Sequence, residues 1–163
     1  MTRPGPYAVH GVPVLVTGAG GSGAAAARAL RGRGAVVTVS DADSGRAQSL
    51  REDGFTVVDV AAPPPGTALV VTSPGWRPDH PLLRAAAAAG VEVVGEVELA
   101  WRLAGPQAPP WLAVTGTNGK TTVVRMLESV LRAAGLRTAA VGNIGLPVVG
   151  EVDGPYDVLA VEL

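Results

Sequence analysis

Residues 12–30 of the chain read VPVLVTGAGGSGAAAARAL, a β-branched run, a glycine cluster and an alanine-rich run in succession. The first run predicts a buried strand at 12–17, and the last predicts a helix at 23–33. The glycines that match the G-x-G-x-x-G pattern are Gly18, Gly20 and Gly23. Glycines at these positions let backbone N–H groups approach a pyrophosphate at the positive end of the helix. We therefore predict a nucleotide-binding loop, and the alternative is a glycine turn that serves only tight helix–sheet packing.

Asp41 supports the nucleotide interpretation, because it ends the second predicted strand 18 residues after Gly23. An acidic side chain at that place can accept hydrogen bonds from a nucleotide. Ser73 also follows a predicted strand, at the edge where open α/β sheets bind ligands. Taken alone, Ser73 is typical of an ordinary turn.

Strands and helices alternate along the chain, which predicts an α/β fold with a parallel sheet covered by helices on both faces. Continuous valine runs indicate strands that are buried on both sides. Ser44 is the predicted N-cap of the second helix. The further predicted strands are 35–40, 56–60, 68–72, 91–94, 111–115, 137–141 and 156–161, and the further helices are 44–53, 79–89, 96–103 and 121–134.

Residues 104–110 read AGPQAPP, and three prolines in seven residues cannot continue a helix. We interpret this segment as a linker between two domains, 1–105 and 106–163. The first is predicted to be a Rossmann-like parallel-sheet domain. The second begins with strand, loop and helix but holds too few units for a whole domain, so we expect the N-terminal part of a P-loop α/β domain.

The second loop, TGTNGKTT at residues 115–122, carries a phosphate-binding pattern between a strand and a helix. Lys120 is placed to hold the β- and γ-phosphates of a nucleotide, and the Thr121 hydroxyl to bind Mg²⁺. A lysine at a helix N-terminus opposes the helix dipole unless it meets an anion. The pattern is shorter than the usual one and starts at Gly116, because Val114 occupies the standard position of the first glycine.

Two more residues follow predicted strands in the second part of the chain. Asn143, in the run GNIG, can bind a ligand or stabilise a turn, and Glu162 can coordinate Mg²⁺ beside the phosphate loop. His10 and His80 lack metal-ligand spacing and receive no role. The three tryptophans are interpreted as packing residues rather than a stacking platform: Trp76, Trp101 and Trp111.

Composition excludes several classes of protein. With 47% hydrophobic residues and a net charge of −1, the chain is unlike disordered proteins and lacks the basic surface typical of nucleic-acid binding. No apolar run approaches a membrane span, two prolines interrupt the N-terminal segment where a signal peptide has its apolar core, and no cysteine is present. We expect a cytoplasmic protein without nucleic-acid or membrane partners. Lys120 is the one lysine among 13 basic residues, so its position is informative.

Together these motifs resemble the Mur ligase family of peptidoglycan synthesis. The segments that carry the resemblance are VTGAGGSG (16–23), SD (40–41), TSPG (72–75), HPLLRAAAAAGVEVVGEVEL (80–99), VTGTNGKTT (114–122), GNIGLP (142–147) and YDVLAVEL (156–163). The phosphate loop alone is shared among the Mur ligases and resembles that of folylpolyglutamate synthases. Its combination with the first loop, SPG and GNIG is most similar to the branch that adds D-glutamate, over roughly the first third of such an enzyme.

The resemblance implies an ATP- and Mg²⁺-dependent amide-bond ligase with UDP-N-acetylmuramoyl-L-alanine and D-glutamate as substrates, monomeric at full length. The reaction would pass through an acyl phosphate. By this resemblance, UDP-sugar contacts come from Gly18, Gly20, Gly21, Ser22, Gly23, Asp41, Ser73 and Asn143. ATP contacts come from Gly116, Thr117, Asn118, Gly119, Lys120, Thr121 and Thr122, with Lys120 as the catalytic residue and Thr121 and Glu162 as Mg²⁺ ligands.

Some features depart from the family or leave alternatives open. The resemblance implies that Asp41 faces the uracil, but Ala42 and Asp43 stand after it where some members have Thr and Arg. The remaining magnesium ligands, a carbamylated lysine and the D-glutamate-binding domain would lie beyond Leu163, so we expect this chain to bind UDP-sugar without turnover. The alternative function is an NAD(P)-binding oxidoreductase or sensor module joined to a phosphate loop.

Overall fold

The computed structural model describes residues 7–163. Residues 1–6, which hold the start of the predicted first domain and the two prolines that argue against a signal peptide, lie outside the described part. The chain divides into two compact units, Ala8–Leu99 and Ala100–Leu163, and Tyr7 groups with the second. Each unit is an α/β structure built on a parallel sheet, as the alternation of strands and helices predicts.

The first unit contains a five-stranded parallel sheet in the order β3-β2-β1-β4-β5. The valine-rich central strands are buried because helices cover the sheet, and Leu15, Val70 and Leu82 form the centre of one core cluster. Its elements are β1 (Pro13–Thr17), α1 (Gly21–Gly32), β2 (Val36–Ser40), α2 (Ser44–Glu52), β3 (Thr56–Val58), β4 (Leu69–Thr72), α3 (Pro81–Ala88), β5 (Glu92–Gly95) and α4 (Glu96–Leu103), within which the division between the units falls.

The second unit contains a three-stranded parallel sheet in the order β6-β8-β7. Its elements are β6 (Trp111–Val114), α5 (Lys120–Ala133), β7 (Thr138–Gly142), α6 (Val148–Glu151) and β8 (Val158–Glu162). Val124 of α5 packs on Ala140 and Ala160, and Leu127 and Leu131 extend the same face. The spacing of these three helix residues predicts this apolar face, and the packing confirms it.

Three details differ from the sequence expectations. Asp43, not Ser44, caps α2: its backbone is extended and its carboxylate accepts hydrogen bonds from the N–H groups of Gly45 and Arg46, whereas Ser44 is already helical. Strand β6 is not buried on both sides, because it lies at the edge of its sheet and Leu112 is 43% exposed. Helix α6 was not expected, because its four residues VVGE favour a strand or turn, but Val148 and Val149 are buried.

Residues 104–110 form no helix or strand, as their prolines predict. The predicted domain boundary between residues 105 and 106 stays a prediction. None of the helices in residues 7–163 is long and apolar enough to cross a bilayer.

Candidate functional site

The register of the first sheet places three predicted binding residues at one edge. Thr17 at the end of β1 pairs with Ser40 of β2 on one side and with Thr72 of β4 on the other. The residues that come next are Gly18, Asp41 and Ser73. Because parallel strands that end level deliver the following loops to the same edge, the structure brings these three together beside the start of α1.

Asp41 holds the first glycine loop in place through backbone hydrogen bonds. Its Oδ2 atom accepts from the N–H of Ala19 at 2.7 Å, and its Oδ1 atom accepts from the N–H of Asp43 at 2.8 Å. The Asp41 side chain is only 7% exposed, and the guanidinium of Arg46 lies 3.5 Å from Oδ1. The carboxylate therefore ties the loop after β1 to the start of α2. The contact with a uracil that the family resemblance implies for Asp41 stays a prediction.

Asp43 carries a second charge at this edge. The backbone hydrogen bond from Arg46, together with that from Gly45 and the nearby Arg46 charge, lowers the pKa of Asp43 below its ordinary value. Both carboxylates face the cation of Arg46, which contacts Asp43 at 3.2 Å. Arg46 belongs to none of the sequence motifs, although an arginine one turn into a helix whose N-cap is acidic is the available indication.

The glycines of the first loop fall into two groups. A Cβ atom at Gly23 would collide with the carbonyl oxygen of Gly18, so this position requires glycine for close packing of α1 on the loop. A Cβ atom at Gly20 or Gly21 would meet nothing within 4 Å. Open space therefore lies over the first turn of α1, next to Ser22, where backbone N–H groups have no partner within the helix.

Ser73 fixes the end of β4 against this loop. Its hydroxyl donates to the carbonyl oxygen of Thr17 at 2.9 Å, and its Oγ would lie 3.3 Å from a Cβ at either Gly18 or Gly23. The hydroxyl proton is used within the protein, so Ser73 positions the loop in this state of the site.

The second sheet builds its own edge in the same way. Val114 of β6 and Gly142 of β7 both pair with Glu162 at the end of β8. The phosphate loop follows Val114, and Asn143 follows Gly142 with its side chain exposed. Glu162, Asn143 and the phosphate loop therefore share one edge. Asn143 belongs to the unit that holds the phosphate loop, whereas the other predicted UDP-sugar residues belong to the first unit.

The phosphate loop delivers Lys120 to the first position of α5. Gly119 precedes the helix with a φ of 75°, a left-handed conformation that favours glycine. The Lys120 ammonium donates to the carbonyl oxygen of Gly116 at 2.8 Å, so the lysine folds back over the loop. The side chains of Thr117 and Asn118, and that of Thr122 on the helix, are exposed.

Thr121 and Glu162 form the oxygen-rich part of this edge. The Thr121 hydroxyl donates to Oε2 of Glu162 at 2.8 Å, and Glu162 is only 5% exposed. Hydroxyl and carboxylate oxygens are ligands that Mg²⁺ accepts. Within residues 7–163 no three His, Cys, Asp or Glu side chains cluster as a metal site. The pair therefore suits a Mg²⁺ ion that takes its other ligands from phosphate and water.

The residues after β4 line a cavity at the edge of the first sheet, which none of the sequence motifs predicts. Its volume is about 470 Å³, and its lining residues are Gly75, Trp76, Arg77, Asp79, His80 and Pro81. Two side-chain hydrogen bonds join Arg77 to Asp79 and lower the pKa of that carboxyl. A tryptophan directly after the SPG run was the available indication of an aromatic wall.

Comparisons with known proteins agree with the motifs. Residues 114–154 match the Mur ligase middle domain. The chain is 60% identical over 159 residues to the UDP-N-acetylmuramoylalanine–D-glutamate ligase of Streptomyces avermitilis, covering 92% of this chain and 34% of the relative. It is 59% identical over 162 residues to the protein of the same name from Thermobifida fusca, again covering 92% and 34%. The chain thus spans about a third of the length of the curated relatives it matches.

Two solved structures share the fold at low sequence identity. The UDP-N-acetylmuramate-alanine ligase of Thermotoga maritima matches with a TM-score of 0.53 and 23% identity, over 93% of this chain and 36% of that one. A murein peptide ligase of Psychrobacter arcticus matches with a TM-score of 0.55 and 22% identity, over 93% and 37%. The resemblance that the sequence motifs indicate is confirmed by the family match and the relatives.

Proposed function

We propose that the chain is the N-terminal portion of an ATP-dependent amide-bond ligase. The proposal rests on the resemblance of the chain to about a third of the length of curated Mur ligases. The reaction adds D-glutamate to UDP-N-acetylmuramoyl-L-alanine during peptidoglycan precursor synthesis in the cytoplasm. Residues 1–105 form the Rossmann-like UDP-sugar domain, and residues 106–163 begin a P-loop ATP-binding domain. The observation that carries the proposal is the level edge of the second sheet, with Lys120, Thr121 and Glu162 on adjacent elements.

At the phosphate loop, this chain's residues bind and orient ATP. Lys120 exchanges its hydrogen bond to Gly116 for the β- and γ-phosphate oxygens, because a phosphate oxygen carries more negative charge than a carbonyl. Exposed loop residues, Gly116 to Gly119 with Thr122, surround the phosphates with backbone N–H groups and hydroxyls. Thr121 and Glu162 hold Mg²⁺, which neutralises charge on the phosphates when it is bound.

In the first unit, the open start of α1 binds the pyrophosphate of the UDP-sugar. Gly20, Gly21 and Ser22 present the unpaired N–H groups of the first helical turn, and a Cβ at either glycine position would have open space to fill. Asp41 and Ser73 keep this loop in shape. The site is thus preorganised for an anion before the ligand arrives, which lowers the entropic cost of binding.

In the proposed reaction, the γ-phosphoryl group of ATP passes to the terminal carboxylate of the UDP-sugar substrate and gives an acyl phosphate and ADP. The amine of D-glutamate then attacks the acyl carbon, and phosphate leaves. Catalysis of this kind relies on positioning and charge neutralisation, for which Lys120 is the catalytic residue in this chain. We expect the 163-residue chain to bind its ligands without turnover, and the enzyme to be a monomer at full length.

Isothermal titration calorimetry of the 163-residue chain tests the proposal. UDP-N-acetylmuramoyl-L-alanine should bind at millimolar concentration or below, and NADH should not. The NAD(P)-binding alternative predicts the reverse, with enhanced NADH fluorescence on mixing. Absence of heat with the UDP-sugar at millimolar concentration would overturn the ligase proposal, and NADH binding would then support the alternative.

A further inference from the structure

Trp76 lies between the core of the first unit and the first glycine loop. Trp76 packs against the cluster around Leu15, Val70 and Leu82, and its ring is tilted by 58° relative to the ring of His80, at a centroid distance of 4.2 Å. The two rings form a wall of the 470 Å³ cavity after β4. The cavity therefore has an aromatic side, and its tryptophan packs on the core.

The indole nitrogen of Trp76 lies next to the first glycine loop, beside which the pyrophosphate is proposed to bind. Its Nε1 atom would lie 3.0 Å from a Cβ atom at Gly18, the first glycine of the loop. No hydrogen bond described for residues 7–163 uses this N–H. An indole N–H is a donor only, and a partly buried one ordinarily has a partner. An anionic oxygen over the loop is a suitable acceptor.

The order of the strands says which part of a ligand can reach the cavity. Strand β1, which delivers the glycine loop, lies between β2 and β4. The end of β2 presents the charged groups Asp41, Asp43 and Arg46, and the end of β4 leads to Trp76 and His80. A pyrophosphate at the loop therefore directs one half of its molecule towards β2 and the other towards β4.

We propose that Trp76 and His80 form the sugar subsite of the UDP-sugar site, with the Trp76 indole donating to a pyrophosphate oxygen and the two rings packing on the pyranose. This inference rests on the proposed function. A pyranose has C–H faces that suit an aromatic wall and hydroxyls that suit a charged pair, which Arg77 and Asp79 supply at the rim. The charged edge at β2 then faces the nucleoside, whose base edge carries donors and acceptors.

Two substitutions separate the indole N–H from the ring. Trp76→Phe keeps an aromatic ring and removes the donor, so it should weaken binding of both UDP and UDP-N-acetylmuramoyl-L-alanine, by about tenfold. Trp76→Leu removes the ring as well, and should weaken the UDP-sugar by about a further tenfold while binding UDP as Trp76→Phe does. Calorimetry with both ligands gives the four dissociation constants of the two variants, to be compared with those of wild type. Trp101→Phe is the matched control and should change the affinity for neither ligand.

The possible outcomes distinguish failure of the proposed subsite from failure of the proposed function. If wild type binds both ligands and both Trp76 variants bind each ligand as tightly as wild type does, the subsite is wrong and the ligase proposal stands. If Trp76→Leu weakens UDP beyond Trp76→Phe, the ring contacts the nucleoside and the sugar assignment is wrong. If wild type binds neither ligand, the proposed function fails and the subsite fails with it.

Fluorescence gives a readout that does not depend on a Trp76 variant folding. In the Trp101→Phe/Trp111→Phe background, Trp76 is the one remaining tryptophan. Saturating UDP-N-acetylmuramoyl-L-alanine should shift its emission to the blue, because a sugar ring excludes water from the indole, and UDP should shift it less. Identical spectra with and without bound UDP-sugar would contradict the subsite.

Discussion

The Thr121 hydroxyl donates to Glu162 Oε2 at 2.8 Å, although 41 residues separate the two. The contact joins the first turn of α5 to the end of β8, which lies between the strand before the phosphate loop and the strand before Asn143. Both oxygens lie at the edge where the loop begins. The pair thus links the phosphate loop to a buried carboxylate, and the proposed Mg²⁺ site depends on that link.

Glu162→Gln should weaken nucleotide binding only when Mg²⁺ is present. The amide keeps the size of the side chain but removes the charge that holds a divalent cation. We expect ADP affinity in Mg²⁺ to fall by about 10- to 100-fold, and ADP affinity in EDTA to stay unchanged. Calorimetry in the two buffers measures both values.

Glu151→Gln is the matched control, because Glu151 also accepts a hydroxyl hydrogen bond, from Tyr156 at 2.6 Å, but does not adjoin the phosphate loop. It should leave ADP affinity unchanged in both buffers. An equal loss with and without Mg²⁺ for Glu162→Gln would argue against a metal ligand and for a structural role.

Lys120→Arg should abolish ATP use in a chimaera that joins residues 1–163 to the remaining two-thirds of the Streptomyces avermitilis relative. A guanidinium is larger, planar and a poorer match for a site that takes a compact ammonium folded back to Gly116 at 2.8 Å. We expect the rate of phosphate release to fall by at least about 100-fold, in line with loss of one preorganised charge contact. Arg125→Lys, on the same helix, should retain the rate. A fully active Lys120→Arg chimaera would contradict the assignment.

Much of the fold could be predicted from the sequence, because valine runs and glycine loops alternate regularly with helices. The two sheet edges could be anticipated for the same reason: a residue directly after a buried strand, such as Asp41 or Glu162, must emerge where parallel strands end. The level register that makes the edges meet, with Thr17 opposite Ser40 and Thr72, could not be read from spacing.

The details that sequence could not supply depend on tertiary contacts. Whether Asp43 or Ser44 caps α2 depends on which residue has extended backbone, and both types cap well. The donor role of Trp76 depends on the distance from its Nε1 to the loop, which no spacing rule gives. Strand β6 has an apolar sequence, but its place at the edge of the sheet leaves Leu112 exposed.

Asp43→Ala should lower the free energy of unfolding of the first unit, because it removes the side-chain acceptor for the N–H groups of Gly45 and Arg46. Ser44→Ala is the matched control and should change the free energy of unfolding by less than about 0.5 kcal/mol, since alanine is a good helix former. Urea denaturation followed by circular dichroism measures both. A larger loss for Ser44→Ala than for Asp43→Ala would restore Ser44 as the cap.

The Arg137–Asp157 pair should make stability depend on pH in the acid range. Side-chain hydrogen bonds from Arg137, and one from its backbone N–H, lower the pKa of Asp157 from 3.8 to about 2. A carboxylate with a lower pKa in the folded state stabilises the fold above pH about 4, and this contribution disappears as pH falls through about 2. The difference in the free energy of unfolding between wild type and Asp157→Asn should therefore be largest above pH about 4 and should vanish towards pH about 2.

Denaturation midpoints measured from pH 6 to 2 test this dependence, with Asp59→Asn as the control at an exposed position. The midpoint of Asp59→Asn should differ little from that of wild type at every pH. If the difference between wild type and Asp157→Asn stays constant from pH 6 to 2, the ion pair does not cause the dependence of stability on acid pH.

Gly23→Ala and Gly21→Ala should separate packing from ligand access in the first loop. At Gly23 the added methyl meets the carbonyl oxygen of Gly18, a backbone atom that cannot swing away, so α1 must shift. We expect a loss of about 1–3 kcal/mol in the free energy of unfolding, the usual cost of overpacking, together with loss of UDP binding.

At Gly21 the methyl meets nothing within 4 Å, so stability should be unchanged or slightly raised. UDP affinity should nevertheless fall for Gly21→Ala, because the methyl occupies the space over the helix N-terminus where the pyrophosphate is proposed to lie. Unchanged UDP affinity in a stable Gly21→Ala variant would move the pyrophosphate away from the first turn of α1.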